Sequence, residues 1–344
     1  MLSGRGESNR PRAPELVCPA GSLAALKAAV DAGADSVYTG YRDDTNARNF
    51  AGLNFTAAEL EQGLNYAHAR SARVFLAINT YPQAGSFPRW SAAIDRAAAS
   101  GADAVIVADA GLMEYAAAAH PGLPLHLSVQ GSATTCEAIN FYRRQFGVRR
   151  AVIPRVLTLD QVAKLMRRAE TEIEVFGFGS LCVMVEGRCA LSSYATGQSP
   201  NTVGACSPAW AVQWLQTANG VESRLNGVLI DRYAEGEKAA YPTICKGRYR
   251  VDGETYYAIE EPASLNTLDL LPDLIRLGVA GIKIEGRQRS PAYVSEVTRI
   301  WRAAIDDCIE NPQRFAARPD WTRRLDALAE GQQHTLGAYN RHWR

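Results

Sequence analysis

Residues 24–39, AALKAAVDAGADSVYT, decide how the rest of the chain is read. Small and apolar residues recur at helical spacing through Ala24–Ala32, the turn Gly33-Ala34-Asp35 follows, and Ser36-Val37-Tyr38 opens a short strand. Glycine suits the position after a helix, where the backbone often needs positive φ. The phrase returns in residues 91–108, SAAIDRAAASGADAVIVA, with Ser91–Ser100 helical, Gly101-Ala102-Asp103 as turn and Ala104–Ala108 as strand. Looser copies lead from Gly147 into Ala151-Val152-Ile153 and from Gly278 into Ile282-Lys283-Ile284.

Working outward, the same kind of run occurs eight times: Glu15–Cys18, Ser36–Thr39, Val74–Ile78, Ala104–Ala108, Leu125–Val129, Ala151–Ile153, Ile173–Phe176 and Gly281–Ile284. They are short and continuously apolar, as expected of parallel strands buried on both faces. Helical patterns follow most of them, among them Ala57–Ala69, Leu159–Arg168 and Leu265–Leu277. Eight strand–helix units predict an α/β fold, a (β/α)8 TIM-like barrel. The alternative, an open doubly wound sheet of the dinucleotide type, is disfavoured because no GxGxxG follows the first strand. The rhythm breaks once, across 180–262, between strand seven and the next barrel helix. A hairpin is expected there at Asp252-Gly253, with Tyr249–Val251 facing Thr255–Ala258. Long insertions in compact domains are usually functional, and loops after barrel strands build active sites.

Of the 344 residues, 47% are hydrophobic and 21% charged, an ordinary globular composition. Lys plus Arg number 37 against 36 Asp plus Glu, so no global field draws in nucleic acid or an anionic membrane. Residues 1–14, MLSGRGESNRPRAP, have no apolar core and read as a disordered leader, not a signal peptide. No apolar run is long enough to span a bilayer, and a soluble, cytoplasmic protein is expected. In a reducing compartment, clustered cysteines point to metal or redox chemistry rather than disulfides.

Four of the seven cysteines, Cys182, Cys189, Cys206 and Cys245, fall in the insertion, with the spacing Cys-x6-Cys-x16-Cys-x38-Cys. That spacing matches neither the ferredoxin run nor a paired Cys-x2-Cys zinc site. Four soft thiolates suit a [4Fe–4S] cluster, and a structural zinc would accept the same set. Unrelated buried thiols are the plain alternative. Arg188, Lys246 and Arg248 stand beside these positions and could offset thiolate charge. Cys308 and Cys136 read as packing residues of helices, and Cys18 as a small buried residue ending the first strand.

The segments Leu16-Val-Cys-Pro-Ala-Gly21, Asp43-Asp-Thr-Asn-Ala-Arg48 and Phe50-Ala-Gly-Leu-Asn-Phe55 resemble the collagenase-like peptidase U family. So do Phe178-Gly-Ser-Leu-Cys182, Glu186-Gly-Arg-Cys189, Ser199-Pro-Asn-Thr-Val-Gly-Ala-Cys206 and Ile284-Glu-Gly-Arg-Gln-Arg-Ser-Pro291. The likeness runs from about Glu15 to the C-terminus and is strongest to the branch serving oxygen-independent ubiquinone synthesis, with the leader as the main departure. The resemblance implies a [4Fe–4S] cluster on Cys182, Cys189, Cys206 and Cys245. It implies a heterodimer with a homologous V subunit, a sterol-carrier-like lipid-binding protein as further partner, a quinone precursor as substrate and prephenate as the oxygen donor. Residues 15–344 would then be one barrel domain, with 180–262 as its iron–sulfur insertion. Two other readings stay open: hydroxylation of tRNA or rRNA bases, as in relatives, and a non-catalytic iron–sulfur scaffold. The balanced charge and the end of the chain soon after the barrel count softly against RNA.

Peptide hydrolysis would need an activated nucleophile or a metal-bound water, yet the chain carries neither HExxH nor GxSxG. Of its histidines, His68 and His120 fall in helical patterns, His334 and His342 in the tail, and His126 in a strand, where it is expected to pack. If the barrel closes, the residues ending its strands share one mouth: Asn79, Asp109, Gln130, Arg155, Glu285 and Arg287. Asp109 could equally cap a helix. Arg155 and Arg287 are the natural grips for a carboxylate, because guanidinium binds it in bidentate fashion. The loop bearing Asn46, Arg48 and Asn54 would close over the same mouth.

Overall fold

A computed structural model of the chain describes residues 12–218 and 220–341. Most of the expected leader, and His342, lie outside the described residues. Seven parallel strands run in order: β1 (Glu15–Pro19), β2 (Ser36–Thr39), β3 (Arg73–Ile78), β4 (Ala104–Val107), β5 (Leu125–Leu127), β6 (Arg150–Val152) and β7 (Glu172–Ser180). The insertion then contributes β8 (Val212–Thr217), β9 (Gly220–Leu225), β10 (Val228–Tyr233), β11 (Arg248–Val251) and β12 (Glu254–Tyr257). The chain returns through β13 (Ser264–Asn266) to the eighth barrel strand, β14 (Gly281–Ile284). That strand pairs in parallel with both β7 and β1 and closes the barrel. The expected (β/α)8 architecture is therefore the one the chain forms.

Side-chain alternation divides the barrel into two cores. Val17, Tyr38, Phe75, Ala77, Ala104 and Ile106 pack together inside. Their neighbours Leu16, Cys18, Val37, Leu76, Val105 and Ile282 face outward into the helix layer. Ten helices are described: α1 (Leu23–Asp31), α2 (Ala57–His68), α3 (Phe87–Ser100), α4 (Ala110–Ala119), α5 (Cys136–Phe146), α6 (Leu159–Met166), α7 (Leu191–Thr196), α8 (Leu271–Leu277), α9 (Pro291–Glu310) and α10 (Pro319–Leu328). Thr56 with Glu59, and Thr158 with Gln161, make reciprocal capping boxes that start α2 and α6. Cys308 is fully buried on α9, and Cys136 is buried as the first residue of α5. Cys18 points away from the barrel axis and accepts a hydrogen bond from Thr298 Oγ1 of α9 at 3.2 Å. No helix among the described residues is long and apolar enough to cross a membrane.

Two local expectations need correction. The helix expected over Leu265–Leu277 begins only at Leu271. Pro272 lacks an N–H and fits only a first turn, so the residues before it peel away. They form β13, which runs antiparallel to the end of β7, with Leu265 opposite Gly179. The insertion is also more ordered than a loop with one hairpin. The hairpin β11–β12 turns at Asp252-Gly253 as expected. Beside it, β10, β9 and β8 form a three-stranded antiparallel sheet.

Candidate active-site cavity

At the carboxyl ends of the barrel strands lies a cavity of about 980 Å³. Its lining includes all four insertion cysteines and five of the six anticipated mouth residues, Asn79, Gln130, Arg155, Glu285 and Arg287. Asp109 is not among them; its carboxylate accepts from the Leu112 N–H at 2.8 Å and caps α4.

Strand β14 and the residues after it supply a charged column. In the run Ile282-Lys-Ile-Glu-Gly-Arg287, alternation sends Ile282 and Ile284 into the helix layer. Lys283, Glu285 and Arg287 face the cavity. Glu285 accepts from the Ser180 N–H at 3.2 Å and has no cation within ion-pair distance among the described residues. Burial alone would raise its carboxyl, but Arg48 and Arg155 outweigh that and hold it below the usual range. Gly179 permits this approach of β7 to β14, since a Cβ there would stand 2.5 Å from that of Glu285.

The two anticipated carboxylate grips differ. Arg155 is already paired: its Nε donates to Glu186 Oε1 at 2.7 Å, and its guanidinium lies 4.3 Å from the Phe176 ring centroid. Arg287 is 5% exposed and has no carboxylate partner among the described residues; it donates to Asn46 Oδ1 at 3.0 Å and to the Ala47 carbonyl. Burial, reinforced by Arg48, pushes its pKa down to about 10. A guanidinium so placed is an uncompensated buried charge, which favours an anionic ligand.

The loop after β2 positions Arg48 opposite. Arg48 and Asn54 both adopt left-handed φ, 79° and 70°, uncommon for residues with a Cβ. Asn54 Nδ2 donates to the Arg48 carbonyl at 2.8 Å, and Arg48 Nη1 donates to the Gly204 carbonyl of the insertion. Asn79 holds the same loop, accepting from the Ala47 N–H at 3.0 Å. With its amide turned to donate, Gln130 reaches the carbonyls of Asn79 at 3.3 Å and Asn201 at 3.0 Å. These two residues shape the mouth more than they offer groups to a ligand.

The insertion is tied down around its cysteines. Ser132 Oγ donates to the Glu186 carbonyl at 2.6 Å, and Asn201 Nδ2 donates to that of Cys189 at 2.9 Å. Lys246, buried beside Cys245, pairs with Glu330 at 2.5 Å. Arg248 turns instead to Asp231 at 2.5 Å, and Arg188 lies off the cavity wall. Burial, then Glu186, pushes the Cys182 thiol up to about 12. Burial, then Cys206, does the same to Cys245. Ligation by these groups would therefore release protons.

The donor set can be tested against its possible occupants. A single tetrahedral zinc needs four sulfurs about 2.3 Å from one point, hence about 3.8 Å apart. Among the described residues, no three His, Cys, Asp or Glu side chains are grouped to hold a metal ion. All four thiols line the one cavity, with Arg48, Lys246 and Arg155 near Cys206, and soft thiolates are the donor type that an iron–sulfur cluster or a zinc takes.

Lys283 and Tyr38 are among the cavity residues that sequence reading missed, with Ile106, Val152, Phe176 and Glu186. A lysine inside the apolar strand Gly281-Ile-Lys-Ile284 was the available signal, because a charge buried in a barrel strand needs a reason.

The signature of peptidase family U32 matches residues 21–341. An uncharacterised protease of Methanocaldococcus jannaschii is 33% identical over 86% of this chain and 66% of its own length. The tRNA hydroxylation protein P of Escherichia coli is 30% identical over 96% of this chain and 75% of its own. The tRNA hydroxylation protein P1 of Bacillus subtilis is 28% identical over 92% and 68%. The chain thus spans about two thirds to three quarters of the length of these relatives.

Proposed function

The chain belongs to peptidase family U32, and from that premise we propose that it is the iron–sulfur subunit of an oxygen-independent hydroxylase acting in ubiquinone synthesis. The observation that carries the reading is the meeting, in one cavity, of four insertion cysteines with a buried arginine that lacks a carboxylate. Relatives named for tRNA hydroxylation support hydroxylation as the reaction class. Hydrolysis gains nothing from the cavity, since no histidine lies along its described wall to activate a nucleophile.

In this reading Cys182, Cys189, Cys206 and Cys245 hold a [4Fe–4S] cluster, which supplies one-electron redox chemistry when bound. Arg287, with Arg48 beside it, holds a carboxylate of the oxygen donor, for which prephenate is the candidate. Arg155 and Glu186 fix each other and stiffen the wall. Tyr38, Ile106, Val152 and Phe176 give the ring of a quinone precursor an apolar seat that excludes water. The partners are a homologous V subunit, completing a heterodimer, and a sterol-carrier-like protein that delivers the lipid. The setting is the cytoplasm.

The relatives' names favour a second reading, hydroxylation of a tRNA base, and a non-catalytic iron–sulfur scaffold is a third. Anaerobic purification, with iron and sulfide analysis beside a Cys182→Ala/Cys189→Ala variant, tests the cluster. About four irons per chain, lost in the variant, are expected. A colourless or zinc-loaded protein would remove the redox reading. Salt-sensitive co-purification of tRNA would move the assignment to the RNA reading. Loss of ubiquinone hydroxylation in Arg287→Ala, with cluster and pairing intact, would exclude the scaffold.

A further inference from the structure

The cavity floor has a composition of its own. Five barrel strands contribute apolar or aromatic walls there, through Tyr38, Ala77, Ile106, Val152 and Phe176, and β14 contributes one charge, Lys283. The Lys283 ammonium is 6% exposed, lies 2.7 Å from Glu174 Oε1 and sits 3.9 Å from the centroid of the Tyr38 ring. An ammonium has three N–H donors. Glu174 takes one and the ring face engages a second. Among the described residues no acceptor takes the third, and Glu174 is itself shared with Arg150 at 3.3 Å. A flat apolar slot with one cationic donor at its base remains.

We propose that Lys283 anchors the phenolic oxygen of the aromatic substrate, as its phenolate, with the ring held between Tyr38, Ile106, Val152 and Phe176. This rests on the ring-hydroxylase reading and adds the group that orients the ring. The chemistry of the floor selects among aromatic ligands. A phenolate carries one charged oxygen on an otherwise apolar ring and satisfies both the donor and the walls. A benzoate brings two charged oxygens, one of which would be left against hydrocarbon. A pyrimidine base brings several polar edge atoms and would leave most of them unpaired. On binding, the phenol gives its proton to solvent, and the phenolate so formed carries raised electron density on the ring carbons ortho and para to the oxygen. Lys283 would therefore both place and activate the ring.

The full-length chain, purified without air, is titrated with 4-nitrophenol, whose yellow phenolate reports its own ionisation. The bound probe is expected to ionise at lower pH than the free probe. Lys283→Met is expected to weaken phenolate binding at least about 10-fold, with partial recovery in Lys283→Arg. Nitrobenzene, which has the ring without the oxygen, should bind both forms equally. Because Lys283→Met leaves Glu174 to Arg150 alone, at 3.3 Å, a Lys283→Met/Glu174→Gln variant keeps the volume without the weakened pair, and circular dichroism verifies its fold. Undiminished phenolate binding in that folded double variant would overturn the proposal, as would displacement of the probe by uridine at lower concentration than by phenol. Lysine-dependent phenolate binding by a chain that neither holds iron nor supports hydroxylation would sink the reaction assignment and leave the floor site standing.

Discussion

Arg150 and Arg287 are buried almost equally, at 4% and 5% exposure, near opposite ends of the same barrel. Arg150 meets three carboxylates: Glu15 and Glu172 at 2.7 Å and Glu174 at 3.3 Å. Arg287 meets none. Burial alone would lower the Arg150 pKa, but Glu174 and Glu15 reverse that and raise it; for Arg287 burial prevails. The amino-terminal mouth has its own cavity, of about 1110 Å³, lined by Arg73, Arg150, Glu15 and Glu172. Its buried charges are answered: Glu15 also takes the half-exposed Arg73, at 2.5 Å. One end of the barrel is electrostatically finished, and the other is left open. The difference separates an arginine answered by carboxylates within the fold from one that is not.

Removing each arginine breaks or confirms that division most directly. Arg150→Met leaves Glu15 to Arg73 alone and Glu174 to Lys283 alone, with three carboxylates against two cations, and is expected to cost about 3–5 kcal/mol in urea unfolding. Arg287→Met gives up two hydrogen bonds to the loop after β2, worth about 1 kcal/mol each, while relieving an uncompensated charge. Its stability should stay within about 1 kcal/mol of the parent. Equal losses in the two variants would mean that Arg287 is structural, and the open end would lose its meaning.

The open end is held by backbone contact as well as by the pairs Arg155–Glu186 and Lys246–Glu330, and Gly204 tests the backbone contact. At φ +77°, its Cβ would stand 2.4 Å from the Arg48 nitrogen and 2.6 Å from the Ala47 Cα. Gly204→Ala therefore has to push the loop away, at an expected cost of about 1–3 kcal/mol. Hydrogen exchange should quicken in 41–55 and stay unchanged in β1–β7. Uniform quickening would show that the mouth and the barrel unfold as one unit.

The barrel was legible because its signals are local and repeated. The Gly33 and Gly101 turns recur at helix ends, and the apolar runs after them can only be strands buried on both faces. The four cysteines stood out by type, and the mouth residues by their positions after strands. Partner choice was not legible. Arg155 and Arg287 look alike in sequence, and only the fold shows that Glu186, thirty-one residues on, takes the first. Asn226-Gly227 turned β9 into β10 with an ordinary hairpin signal that a search for cysteines passed over. Lys283 went unread because its partner Glu174 lies on β7, 109 positions away.

The finished end makes one smaller prediction, about acid. His126 is buried inside β5 with its ring 4.7 Å from that of Phe75. Burial, then Arg150, pushes its pKa down to about 3. Unfolded, the imidazole takes a proton near its ordinary value of about 6.5. Between these values the unfolded chain binds the extra proton, so stability falls as pH falls, by about 1 kcal/mol from about pH 6.5 to about 5.5. Glu174 is also held below its ordinary range, because Lys283 and Arg150 outweigh the opposing effect of burial. Its contribution is fully present above about pH 4.3 and is lost only below that. The two windows overlap only below about pH 4.3, so urea midpoints of His126→Phe and the parent, taken from about pH 6.5 to about 5.5, isolate the histidine from Glu174. The variant should be flat where the parent slopes. A parent that is already flat there would mean His126 is protonated inside the barrel, and the charges at the finished end would then not close among themselves.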